Sequence, residues 1–164
     1  METKKFIRLS MLLSLAVVLN IIESLIPIFN FVLPGIKLGL SNVIILTVLY
    51  VYGFKDAMYL SILKVFLVGI LKTGIFSIPF FFSLVGAIIS ILMMYIFKEI
   101  KLFSIIGISI IGSISHSIGQ VLVAVLVINT NMLYYLPILL IISIPTGILV
   151  GIISKELIKY IKET

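Results

Sequence analysis

Along this chain the apolar residues do not alternate with polar ones. They run in long blocks, and charges, prolines and glycines cut the sequence into six apolar segments at 6–26, 37–53, 57–71, 78–97, 102–128 and 132–154. The breaks read PIFNFVLPGIK, GFKD, KTGIFSIP, KEIK and INTNM, and an amphipathic tail, KELIKYIKET, follows the last block. Membrane barrel strands would show short stretches of alternating polarity, so these blocks predict helices. A hydrocarbon core of about 30 Å takes about 20 apolar residues per helical span. The expected architecture is therefore an all-α integral membrane bundle of six transmembrane helices, one domain over 1–164 with no separate soluble part. The second and third blocks fall short of a full span, which predicts thinning, a lid or a partly discontinuous helix there. The connection between Pro27 and Pro34 is almost wholly apolar, unlike a solvated loop, and is expected to fold back over the bundle.

Composition agrees: 62% of the 164 residues are hydrophobic and 11% charged, with a mean hydropathy of +1.40. The net charge of +6 arises from lysines scattered between the blocks, not from a nucleic-acid-reading patch, so orientation explains it better. With the N-terminus inside, Lys4, Lys5, Arg8, Lys55, Lys98, Lys101, Lys155, Lys159 and Lys162 flank the inner side, and only Lys37 and Lys72 the outer. The positive-inside rule then puts both termini in the cytoplasm. Tyr50, Tyr52, Tyr59 and Tyr95 near inner ends, with Tyr134 and Tyr135 near an outer end, suit interfacial anchors. The basic, apolar N-terminus resembles a secretory signal, but no small-residue cleavage pattern follows it, so it is read as a retained first span.

Polar groups inside apolar blocks carry the candidate chemistry. At 100° per residue, Ser109, Ser113, His116 and Gln120 fall within about 60° of one another, a stripe about 16 Å long. Gly112 and Gly119 flank it on one side, Ser117 and Ala124 on the other. Such groups either hydrogen-bond across helices or line a site, and for His116 with Gln120 both readings stand. Glu23, near Asn20, and Lys37 with Asn42 converge at the outer end of the first two blocks, either as partly solvated interfacial groups or as a site. Lys37 before a helix N-terminus would favour an anion. Lys64 lies seven residues inside the third block, where a charge costs about 2.5–3.5 kcal/mol, so it must snorkel, pair or face a cavity. Toward the inner side, Ser10 and Ser14, and Ala57 and Ser61, form small-x-x-x-small pairs that let a helix approach closely.

Several chemistries lack their residues. There is no cysteine and one histidine, which leaves no thiolate or zinc site. No G-x-x-x-x-G-K-[ST] loop occurs, so any ATP drive must come from a partner. Asp56 is the sole aspartate, too few carboxylates for magnesium-dependent diphosphate chemistry and wrongly placed for a Ser-His-Asp triad. No catalytic residue, metal or cofactor is expected.

At PGIKLGLSN, GSISHSIGQVLVA and YYLPILLIISIPTGILVGIIS, the chain is similar to the bacterial membrane family called Gx transporter, or heptaprenyl diphosphate synthase component I. The similarity covers about residues 15–154, and the family in turn resembles the substrate-binding S components of energy-coupling factor transporters. The resemblance implies a multi-pass protein of the bacterial cell membrane that captures a small vitamin-like metabolite in its outer half, not an enzyme. It also implies partners: a membrane scaffold (T) subunit and cytoplasmic ATPases, with small residues on the first and third helices meeting the scaffold. Ser10, Ser14, Ala57 and Ser61 occupy those places, with serine where alanine is usual. Glu23, Lys37, Asn42, Lys64, His116 and Gln120 are the expected substrate-binding residues, under the 27–36 loop. The synthase label fits poorly, since prenyl diphosphate synthases resemble soluble aspartate-rich enzymes. Two further readings are a structural membrane subunit of a flavin or quinone electron-transfer assembly, and proton-coupled transport through Glu23 and His116.

Overall fold

The computed structural model describes residues 2–23, 25 and 39–163. Six α-helices make up these residues: α1 (Glu2–Glu23), α2 (Asn42–Val51), α3 (Phe54–Val68), α4 (Ile78–Ile100), α5 (Ile105–Val127) and α6 (Leu136–Glu163). A π-helical turn, Gly69–Thr73, prolongs α3, and a 3₁₀ turn, Thr130–Tyr135, precedes α6. Local chemistry sets the ends. Ser77 Oγ accepts from the N–H of Phe80 at 3.3 Å to cap α4, and Ser104 Oγ does the same for Gly107 at 3.2 Å in α5. Gly53, at φ +97°, makes the tight reversal from α2 to α3, a conformation costly for any residue with a Cβ.

The helices α1, α4, α5 and α6 are long and apolar enough to cross a membrane, so this is an all-helical membrane protein with four such helices among the described residues. The expected second span is instead a helix of 10 residues, about 15 Å long. Its length follows from burial: every residue from Asn42 to Leu49 is buried, so α2 lies inside the bundle, where no full crossing is needed. It packs against α1, α3, α4 and α6. The last helix departs the other way. It runs through the expected amphipathic tail to Glu163, because nothing breaks it and Ser154 and Ile158 remain buried on one face while Lys155, Lys159 and Lys162 stay exposed.

The main core gathers Val43, Ile44, Leu46 and Val48 of α2 against Ala16, Leu60, Ile91, Ile108 and Val150 from the surrounding helices. Apolar side chains also cover the outside, with Phe6, Met11, Leu126 and Ile141 all exposed. Lipid tails are as apolar as leucine, so burial of such residues gives little drive for association, and close packing must supply it. Glycines do so. A Cβ added at Gly119 would stand 2.8 Å from Gly86 Cα, and one at Gly147 or Gly151 would stand 2.7 or 2.8 Å from the Cα of Ile110 or Ile106. The α4, α5 and α6 backbones thus touch nearly directly.

Because backbone cannot yield as a side-chain tip can, Gly119→Ala is expected to destabilise the protein by about 1–3 kcal/mol. Gly107→Ala, whose added Cβ meets nothing nearer than 3.6 Å, is expected to be neutral or to gain up to about 1 kcal/mol. Denaturant titration of both variants in mixed micelles checks the contrast.

Candidate functional site

The first turn of α2 is the centre of a polar cluster. Glu23, at the end of α1, is buried and its carboxylate accepts the N–H groups of Gly39 and, at 3.1 Å, of Leu40. These donors have no helical partner of their own, and a negative charge suits the positive end of α2. Ser41 stands at the N-cap position without capping. Its Oγ instead receives Asn20 Nδ2 at 3.3 Å and Lys64 Nζ at 3.1 Å. Lys64 is 2% exposed, so it meets its charge cost inside the bundle and does not snorkel to an interface. Three helices therefore bring a carboxylate, an ammonium, a hydroxyl and an amide to one helix end. Lys37 and the 27–36 loop lie outside the described residues. Asn42 is buried beside the cluster, its Nδ2 without a hydrogen-bond partner among the described residues.

The α5 stripe lies on the other side of the bundle. Ser109, Ser113, His116 and Gln120 are all buried, and their neighbours divide between two helices. Toward α4, the His116 ring lies over Gly86, where an added Cβ would stand 3.0 Å from its Cε1 and Nδ1, and Ser90 Oγ donates to Gly112 O at 2.8 Å. Toward α6, the Ser117 and Ser143 hydroxyls are 2.6 Å apart. The stripe faces the wedge between these helices, with Gln120 fully buried at its far end.

Helix α6 relates the two groups. Ser154 Oγ of α6 donates to Val43 O at 3.2 Å, while Gly151 of α6 packs on Ser109 of α5. These contacts tie α6 to the first turn of α2 and to α5, and His116 and Gln120 stand about 10 and 16 Å along α5 from Ser109. The Glu23, Ser41 and Lys64 cluster thus sits at the first turn of α2, and the α5 stripe continues away from Ser109 between α4 and α6.

At the opposite end, Lys5 Nζ and Asp56 are 2.7 Å apart, joining α1 to α3. A groove of about 250 Å³ lies between these helices, lined in part by Phe6, Ser10, Asp56, Tyr59 and Leu63. Ser10 and Ser14 are exposed, each donating to the carbonyl four residues back at 3.0 Å. Ala57 and Ser61 are buried where α1 and α3 pack together. Sequence reasoning missed Ser41 as the shared acceptor, although a serine directly before a helix is a recognisable start signal. It also missed Lys98, whose Nζ donates to Leu49 O at 2.8 Å and holds the other end of α2. Among the described residues no three His, Cys, Asp or Glu side chains gather as metal ligands.

Fold and site define a helical membrane protein with a buried polar half built around a helix that stops midway. The family model for heptaprenyl diphosphate synthase component I matches residues 12–157, and the chain belongs to that family. No curated protein and no solved structure matches it.

If the cluster around α2 is one charge-balanced network, Glu23→Gln and Lys64→Met each lower stability by about 1–3 kcal/mol, and the double variant loses less than their sum. Strict additivity in a double-mutant cycle would show that the two charges act separately.

Proposed function

We propose that this protein is a substrate-capture subunit, taking a small vitamin-like metabolite into the polar half of its bundle while separate partners supply energy. The observation that carries the reading is the burial of two polar groups in an otherwise apolar bundle: Glu23, Ser41 and Lys64 at the first turn of α2, and His116 and Gln120 on α5. Ligand sites in mostly apolar proteins are built this way, from a few fixed polar groups that orient and an apolar wall that excludes water. Lys64, with Lys37, would neutralise an anionic group, and His116 and Gln120 would orient the rest. The similarity of the family to S components supports the same reading.

In this reading the end bearing Lys5, Lys98 and the α6 tail faces the bacterial cytoplasm, and the helices make six passes with α2 as the short one. The groove between α1 and α3, with Ser10 and Ser14 exposed along it, would receive the membrane scaffold, which carries the ATPases. Binding and not catalysis is favoured by the placement of Asp56, which is paired with Lys5 away from the polar half.

Protein purified in mild detergent is expected to retain a small molecule detectable by mass spectrometry, and adding that molecule back should raise the Tm. Lys64→Met and His116→Leu should each weaken binding by about tenfold or more, a loss of about 1.4 kcal/mol. A protein that retains nothing, responds to no vitamin or precursor and co-purifies with flavin- or quinone-handling proteins would overturn the proposal. Topology has its own check, because the chain has no cysteine. Tyr134→Cys should react with an impermeant maleimide in intact cells, and Lys162→Cys only after permeabilisation.

A further inference from the structure

Gln120 differs from the other polar residues of α5. Its side chain is fully buried, and among the described residues neither Oε1 nor Nε2 has a hydrogen-bond partner. Ser109 Oγ and Asn42 Nδ2 are also unpaired, but each is a single atom, whereas Gln120 presents an unpaired acceptor and an unpaired donor side by side. The neighbouring helices do not supply what is missing. Gly119 is pressed against the Gly86 backbone of α4, and Ser117 is engaged with Ser143 of α6, so both flanks of Gln120 are committed to packing.

A primary amide in a water-poor interior is matched by a partner with a donor opposite Oε1 and an acceptor opposite Nε2. A carboxylate or phosphate offers acceptors alone, an ammonium donors alone and a hydrocarbon neither, so each leaves one amide atom unpaired. An ordinary trans amide points its N–H and C=O in opposite directions and cannot present both to one glutamine. A ring that holds them cis can. We propose that Gln120 reads a lactam-type edge, an N–H and a C=O adjacent on a neutral ring such as a cyclic imide or urea, in the molecule this protein captures. The assignment rests on the capture reading above and narrows it to a ligand class.

The test uses the full-length protein in nanodiscs, as wild type and as Gln120→Leu. Without ligand, the leucine variant is expected to melt at or above the wild-type temperature, because an apolar group of similar size replaces an unpaired amide; a clearly lower Tm would mean that the amide holds the bundle together, and would overturn the proposal. Four probes are then added to each: uracil and lumazine, which carry the cis edge, and their 1,3-dimethyl derivatives, which do not. Uracil or lumazine is expected to stabilise the wild type, with Kd at least tenfold weaker for the methylated ring and for Gln120→Leu. Stabilisation that survives either change overturns the proposal, and so does no response to either ring. Mass spectrometry of the small molecule retained by the purified wild type separates the two claims. A retained molecule with no cis edge overturns the ligand class and leaves capture standing, and the absence of any retained molecule overturns both.

Discussion

The structure depends on satisfying the two ends of α2. A helix wholly inside a membrane protein leaves N–H groups unpaired at its start and C=O groups unpaired at its finish, and no water reaches them in a hydrocarbon setting. A spanning helix avoids the difficulty by ending at the interface. With 10 residues, α2 cannot reach both interfaces, and its fully buried first turn is the end left inside. Side chains from other helices answer instead: Glu23 takes the N–H groups of Gly39 and Leu40, and Lys98 reaches the carbonyl of Leu49. Each charge also opposes the helix dipole at its own end. Because the donors and acceptors are fixed in space, they fix where α1 must end and where α4 must pass.

A helix that stops midway divides the bundle into unlike halves. Beside α2, the interior is filled by Val43, Ile44, Leu46 and Val48 against aliphatic residues of the other helices. At and around its first turn stand Glu23, Ser41 and Lys64, and on α5 His116 and Gln120, all buried, alongside smaller apolar clusters such as Phe82, Val123 and Ala124. Buried groups of this kind are costly in an apolar setting unless paired.

Much of this was legible in the sequence, and the boundary of legibility has a physical cause. Hydropathy located α1, α4 and α5 within a few residues, since a long apolar run bounded by charges has few other solutions in a membrane. The 100° periodicity picked out Ser109, Ser113, His116 and Gln120, and all four are buried on α5. Hydropathy could not show that α2 is enclosed on every side, because residues facing lipid and residues facing protein are equally apolar here. The shortness of its block was the one visible sign. Nor could it show that Ser41 is shared by Asn20 and Lys64, or that Ser154 meets Val43, because these contacts join residues 21, 23 and 111 positions apart. Local pattern tells which face is polar, while the identity of the facing residue is set by the tertiary arrangement.

The two sides of the polar half also differ in what a displacement would cost. α4, α5 and α6 meet through glycines whose backbones leave no room for a Cβ, so separating them gives up dispersion contacts along much of their length. α1 and α3 are tied to the start of α2 by directed bonds: Asn20 and Lys64 to Ser41, and Glu23 to two backbone N–H groups. Hydrogen bonds can be exchanged one at a time for bonds to water or to a polar ligand, at small net cost for each. Glycine packing has no such substitute, because lipid cannot enter a gap narrower than a methyl group. The buried polar groups are thus bounded on the α4, α5 and α6 side by contacts that nothing replaces, and on the α1 and α3 side by hydrogen bonds that can be exchanged.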